Sequence, residues 1–210
     1  MIIKLKMIGF NTYYTKWKLI LLISNKNNVQ FITYNYDRVI ETYFFEALKN
    51  SFGKSDDEVA NVMKSIKIIH LHGQLGYLPW QDAEETKKRA FRTGTNKINE
   101  LIDEIKIGAS EIKIINEANP DSIDFIEARE ILNKAKSILF LGFGYAPQNI
   151  DRLRLDPYNK NIQGTCLGLK TAEIDGIKRK YFLNLANCHL FPTYKCLDLL
   201  KNVDRTTYNN

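Results

Sequence analysis

The sequence has no pair of cysteines spaced as CxxC, no long apolar run, no internal repeat and no Pro/Ser-rich linker. Its three cysteines, Cys166, Cys188 and Cys196, are odd in number and lie late in the chain, which favours a reducing, cytoplasmic setting over a disulfide framework. The apolar run near the start, Leu19 to Ile23, is far shorter than the roughly 20 residues of a membrane span. It also lacks the cleavage pattern of a signal peptide. We therefore expect no membrane contact.

The composition is that of an ordinary globular protein. Hydrophobic residues make up 44% and charged residues 26% of the 210 residues. Chains split into separate domains mainly beyond about 250 residues, so residues 1–210 are expected to form a single domain. The net charge is +6, with a basic cluster at Lys87, Lys88, Arg89, Arg92 and Lys97. A solvent-exposed helix face explains this cluster better than a nucleic-acid contact, because no helix-turn-helix, finger or RNA-binding signature accompanies it.

Short apolar runs alternate with amphipathic stretches along the chain, which is typical of strands that feed crossover helices. The pattern predicts an α/β fold: a doubly wound, Rossmann-like, mainly parallel sheet with helices on both faces. Predicted strands span residues 29–33, 66–71, 112–115, 137–141, 163–169 and 188–191. Predicted helices begin at Asp37 and Ser55 and span residues 96–107, 121–135, 171–185 and 194–203. Residues 73–94 form a long predicted loop.

Polar and glycine residues follow three of the predicted strands. In doubly wound sheets ligands bind outside the carboxyl ends of the strands, and Asn35, His72 and the turn Gly142 to Gly144 all fall at such ends. The sequence therefore predicts a binding site along this edge of the sheet.

The first of these segments, TYNYD, has two interpretations. Asp37 can cap the helix that follows, and Asn35 can adopt the backbone conformation that a turn requires. These structural roles need no ligand. A functional role needs a partner, and the segment HLHG offers one. His70 and His72 lie on the same side of a strand, and an imidazole there can be a general base or a hydrogen-bonded core residue.

The third segment, LGFGYAPQN, is a glycine turn after an apolar strand, with Asn149 placed to cap the next helix. A single GxG is a weak signal of nucleotide binding. It becomes informative when it converges with the two other strand ends.

Together the three segments resemble, in order and spacing, the sirtuin-like NAD-binding domains of bacterial proteins, many of them antiphage defence effectors. Sirtuins carry a TQN-x-D segment, an HG pair and a later glycine turn in this order, and the resemblance runs from about Val29 to Leu169. It implies catalytic roles for Asn35, Asp37 and His72: Asn35 holds the nicotinamide ribose and orients the attacking water, Asp37 shapes the same pocket, and His72 acts as general base. His70 is then structural. The resemblance also implies NAD contacts at Thr33, Tyr34, Gly73, Gly142, Phe143, Gly144, Asn149 and Thr165.

Two departures from the family pattern shape the functional hypothesis. Sirtuin deacylases bind a structural zinc through two CxxC pairs, which this chain lacks, so protein deacylation is disfavoured and no metal is expected. The family also begins with a strand and a glycine-rich turn that holds the diphosphate, whereas here Gly9 stands alone before Phe10. We expect a chain shortened at its amino terminus, or a site completed by a homo-oligomer or a second polypeptide.

The favoured hypothesis is an NAD glycohydrolase that releases nicotinamide and ADP-ribose, with a role in antiphage defence. The alternative is a catalytically silent nucleotide-binding or regulatory module, which the missing glycine-rich turn favours. NAD or ADP-ribose is the expected partner under both hypotheses.

Overall fold

The computed structural model describes residues 1–5, 29–88, 98–113 and 121–206. The chain divides into two compact units, one formed by Met1–Ile32 with Pro120–Asn210 and the other by Thr33–Asn119. The α/β fold class predicted from the sequence is confirmed. The predicted single domain stays a prediction.

The described strands are β1 (Ile2–Leu5), β2 (Gln30–Thr33), β3 (Ile68–His70), β4 (Ser137–Phe140), β5 (Asn161–Thr165) and β6 (Cys188–Phe191). The described helices are α1 (Val39–Phe52), α2 (Asp56–Lys64), α3 (Ile98–Ser110), α4 (Ile123–Lys134), α5 (Pro147–Leu153), α6 (Thr171–Tyr181) and α7 (Cys196–Thr206). A short 3-10 helix spans Glu85–Lys87.

The sheet of the first unit has the strand order β2-β1-β4-β5-β6. Strands β4, β5 and β6 are parallel, whereas β1 is antiparallel to both β2 and β4. The apolar run of β4 lies between two strands and is buried from Ile138 to Phe140, as expected for an interior strand. The carboxyl ends of β4, β5 and β6 therefore lie at one edge of this sheet.

Strand β1 is a correction to the sequence analysis, which placed no strand before Val29. Ile2, Ile3 and Lys4 pair with β2 on one side, and all four residues of β1 pair with β4 on the other. The lone Gly9 and the apolar run from Leu19 lie outside the described residues. The predicted strand at 112–115 is also only partly described, and within that part Ile112 makes an isolated bridge to Gly73.

Two other predicted elements are shorter than expected. Strand β5 ends at Thr165 and helix α6 ends at Tyr181, four residues before each predicted boundary. The cause in the helix is local, because Leu183 and Asn184 adopt positive φ angles of 51° and 52° that no right-handed helix can contain.

In the second unit, α1 buries one side of the helix. Its buried side chains are Glu41, Phe44, Phe45 and Leu48, whereas Val39 and Tyr43 are 67% and 55% exposed. A carboxylate thus occupies an inward position, and its partners form the candidate site.

The boundaries of α1 and α2 follow from local chemistry. Gly53, with φ +59°, ends α1 in the left-handed conformation that glycine adopts without strain. Ser55 and Glu58 form the predicted capping box of α2, with the Ser55 hydroxyl accepting from the Glu58 amide. Acidic side chains in the first turn of α2 also stabilise it by interacting with the positive end of the helix dipole.

Gly164 in β5 is required by the close approach of Tyr145. A Cβ atom at position 164 would lie 2.0 Å from the Tyr145 hydroxyl and 3.1 Å from Cβ of Phe140. The Tyr145 ring is fixed among Phe140, Phe143 and Phe182. Burial raises the pKa of the Tyr145 hydroxyl well above its ordinary value, and that oxygen has no hydrogen-bond partner within the described ranges.

We expect Gly164→Ala to lower the free energy of unfolding by about 2 kcal/mol, because extra volume in a packed core displaces its neighbours. Tyr145→Phe removes an unpaired buried hydroxyl and is expected to cost about 0.5 kcal/mol or less. The double variant should recover more than half of the Gly164→Ala loss, since a ring without the hydroxyl leaves room for the methyl group. Denaturant unfolding of the four proteins measures this coupling. Gly176→Ala, which meets no atom within 4 Å, is the control, and simple additivity of the two changes contradicts the explanation.

Candidate functional site

Asn35 lies just after β2, and its main chain is held on both sides. Its amide donates to Oγ1 of Thr33 at 3.1 Å, and its carbonyl oxygen is 2.7 Å from Nδ1 of His70. The Asn35 residue is exposed. Its main chain is therefore fixed while its side chain lies at the surface of the unit.

Thr33, the last residue of β2, and Leu71, the residue after β3, lie side by side within the second unit. The Leu71 amide donates to the carbonyl oxygen of Thr33 at 2.9 Å, and the Tyr34 ring meets the His72 ring edge-on, with centroids 5.2 Å apart and planes at 80°. These contacts bring Tyr34 and Asn35 to the same strand ends as His72. The sequence analysis predicts that these residues share a binding site, although they come from two segments more than thirty positions apart.

His72 is buried, with 7% of its surface exposed. The next residue, Gly73, has φ +73° and turns the chain so that its amide donates to the His70 carbonyl at 3.2 Å. The carbonyl oxygen of His72 accepts from the Lys113 amide at 2.8 Å. The main chain around the imidazole is thus fixed, and little water reaches the ring.

Asp37 accepts a hydrogen bond at the start of α1, but it is not the cap residue that the sequence analysis considered. Its Oδ1 accepts from the Val39 amide at 3.1 Å, in the first turn of α1. The cap residue by backbone geometry is Arg38, which makes no side-chain cap bond. Asp37 is half-buried, and its role in shaping a ligand pocket stays a prediction.

Sequence reasoning missed the buried ion cluster beside Asn35. Oε1 of Glu41 lies 2.8 Å from Nε2 of His70 and 3.1 Å from Nη2 of Arg38. Arg38 also donates to the side-chain oxygens of Gln74 and Gln81. Burial alone raises the pKa of the Glu41 carboxyl, but the hydrogen bond from His70 and the charge of Arg38 more than offset it, so that pKa lies below its ordinary value.

The second group of predicted residues surrounds a cavity of about 320 Å³ in the first unit. Gly142, Phe143, Gly144 and Thr165 all line it, together with Tyr194 and Cys196 near the start of α7. The Gly142 amide donates to Oγ1 of Thr165 at 2.9 Å, which joins the turn after β4 to the end of β5. The predicted glycine turn therefore borders a hollow at the carboxyl ends of parallel strands.

Asn149 departs from its predicted position. Helix α5 begins at Pro147 after Ala146, so Asn149 lies inside the first turn and does not cap the helix. Proline at the first helical position explains the earlier start, because its fixed φ suits a helix and its missing N–H needs no partner there. Asn149 is not among the residues that line the 320 Å³ cavity.

Three further observations concern ions and membranes. Across the described ranges, no three His, Cys, Asp or Glu side chains group to hold a metal ion. Within the same ranges, no helix has the length and hydrophobicity to cross a bilayer. In the described part of the basic cluster, Lys87 pairs with Glu111 at 3.2 Å and Lys88 with Glu85 at 2.7 Å.

A family model described as a SIR2-like domain matches residues 29–162. This range contains every predicted site residue except Thr165. Searches of curated proteins and of solved structures gave no match.

Proposed function

This chain belongs to the SIR2-like domain family, and we propose on that premise that it binds NAD and hydrolyses it to nicotinamide and ADP-ribose. The observation that carries the proposal is the pairing of an exposed amide side chain, Asn35, with a buried imidazole, His72, at adjacent strand ends. A bacterial, cytoplasmic setting in antiphage defence is part of the proposal, supported by the sequence resemblance.

Both side-chain types suit the chemistry. Cleavage of the bond between nicotinamide and ribose develops positive charge on the sugar, and nicotinamide leaves with the electron pair of that bond. A water molecule then bonds to the sugar carbon and gives up a proton. Asn35 supplies a fixed dipole that orients the water, and His72 accepts the proton as general base.

The burial of His72 favours this role. A base enclosed by protein meets little bulk water, so electrostatic interactions with the reacting groups are stronger than in solvent. Tyr34, against the His72 ring, and Gly73, at the turn after it, are proposed to contact the same part of NAD as His72. Thr33 supports it by fixing the Asn35 amide.

Nucleotide contacts are also proposed within the first unit itself. Gly142 and Gly144 are exposed and border the cavity, so a nucleotide can approach their main chain closely. Thr165 is proposed to lie near the adenosine end of NAD.

Incubation of the purified chain with NAD tests the hydrolysis. We expect free nicotinamide and ADP-ribose to appear in equal amounts. A complete absence of nicotinamide, with folded protein confirmed by circular dichroism, counts against the enzyme.

The second candidate is a silent nucleotide-binding module, favoured by the glycine turn that lines the cavity in the first unit, since that unit holds none of the proposed catalytic side chains. A ligand that binds the folded state alone raises its stability by RT ln(1 + [L]/Kd), about 2.7 kcal/mol at a hundredfold excess over Kd. A thermal shift with NAD and ADP-ribose but without turnover selects this candidate.

A further inference from the structure

The imidazole of His70 lies between two hydrogen-bond acceptors. Nδ1 is 2.7 Å from the carbonyl oxygen of Asn35, and Nε2 is 2.8 Å from Oε1 of Glu41. A carbonyl oxygen has no proton to donate, and an ionised carboxylate has none either. Each contact therefore requires an N–H on the ring, and only the doubly protonated imidazolium carries both.

A neutral imidazole beside a protonated Glu41 is the competing arrangement. It is disfavoured because the charge of Arg38 and the hydrogen bond from His70 hold the pKa of Glu41 below its ordinary value in spite of burial. The same oxygen, Oε1, also lies 3.1 Å from Nη2 of Arg38. The Arg38 guanidinium has donors only, so it could not accept a hydrogen bond from a proton on Oε1.

We infer that Glu41 holds His70 as an imidazolium and that the two act as positioning residues that fix the main chain at Asn35. Loss of one ring proton leaves a nitrogen lone pair facing an acceptor oxygen on one side of the ring, and the hydrogen bond that remains on the other side is no longer charge-assisted. The segment around Asn35 is then held less firmly. The consequence for ligand binding rests on the proposed function, whereas the protonation state does not.

The charges around the ring show which group retains the second proton. Helix α1 presents Glu41 to the ring and Arg38 to Glu41, the chain after β2 presents the Asn35 carbonyl, and the loop after β3 presents the neutral Gln74 and Gln81 to Arg38. Arg38 repels the imidazolium, so the Glu41 carboxylate is what retains the proton. This arrangement, in which Glu41 and the His70 imidazolium hold the Asn35 carbonyl, is called the clamp, and it depends on the negative charge of Glu41.

Nitrogen NMR of the imidazole rings tests the protonation state without any ligand. The chain has three histidines, and a His70→Gln variant assigns the His70 signals. At neutral pH we expect both His70 nitrogens to resonate as protonated. One protonated and one unprotonated nitrogen overturns the inference.

Glu41→Gln tests the positioning. The glutamine side chain offers both a donor and an acceptor. A neutral His70 ring can therefore hydrogen-bond to it, and the second ring proton is no longer required. At neutral pH we expect one of the two His70 nitrogens in this variant to resonate as unprotonated. The bond to the Asn35 carbonyl is then no longer charge-assisted, so hydrogen exchange should be faster at residues 34–37, with the amides of β4 unchanged. Glu46→Gln, the same change at an exposed position of α1, is the matched control and should behave as wild type.

Ligand affinity separates this inference from the proposed function. Affinity for ADP-ribose should be about tenfold weaker in Glu41→Gln than in the wild type at the same pH, and Glu46→Gln should bind as the wild type does. Two protonated nitrogens and altered exchange, but no ADP-ribose binding at any pH, support the clamp and contradict the proposed function. Unchanged exchange in Glu41→Gln contradicts the clamp whether or not NAD is hydrolysed.

Discussion

Asn35→Ala is expected to lower the rate of nicotinamide release from NAD by about a hundredfold or more, the usual effect of removing one oriented dipole from a reacting centre. Stability should change little, by about 0.5 kcal/mol or less. The hydrogen bonds of Asn35 to Thr33 and His70 use its main chain, and the side chain is at the surface. Steady-state kinetics beside thermal unfolding measure the two effects.

The control for this change is Asn50→Ala, an exposed asparagine in α1. It should leave turnover at the wild-type level. If Asn35→Ala also retains wild-type turnover, the amide has no role in the reaction. If it loses turnover and unfolds together, the side chain is structural and its assignment is wrong.

Gly73→Ala is expected to cause the largest loss of stability of any single change considered, about 3 kcal/mol or more. The residue has φ +73°, and a Cβ atom there would lie 1.9 Å from the carbonyl oxygen of Glu111 and 3.2 Å from the amide nitrogen of Lys113. Both neighbours are backbone and cannot rotate away. Relief requires breaking contacts such as the hydrogen bond from Lys113 to the His72 carbonyl, so His72, the proposed general base, should be displaced as well.

Gly53→Ala provides a matched comparison. Gly53 has φ +59° but meets no atom within 4 Å, so alanine there should cost about 1 kcal/mol, the penalty of the left-handed conformation alone. Denaturant unfolding separates the two variants. Equal losses would show that conformation, and not the contact with Glu111, makes glycine necessary at position 73.

The elements that the sequence predicts well are those with a strong local signal. Strand β6 has the predicted bounds, and β4 differs by one residue, because each is a short apolar run between turns. The capping box of α2 is likewise a local pattern of two residues, Ser55 and Glu58. In each case the residues that determine the element lie within it or beside it.

Features that depend on residues distant along the chain were not predicted from the sequence. Strand β1 has four residues, too few to show a period, and it is defined by its pairing with β2 and with β4. Glu41 on a helix is ordinarily solvent-exposed. Its inward position depends on His70, 29 residues further along the chain. One signal was present, since Glu41 ends the same segment, FITYNYDRVIE, that contains Asn35 and Asp37.

The central claim is that Asn35 and His72 contact the same ligand, and an NMR titration with ADP-ribose tests it most directly. The side-chain amide signals of Asn35 and the ring signals of His72 should move together and give a single Kd. Ring signals of His189, which is exposed on β6, serve as the internal reference. Saturable binding that leaves the Asn35 and His72 signals in place would contradict the account.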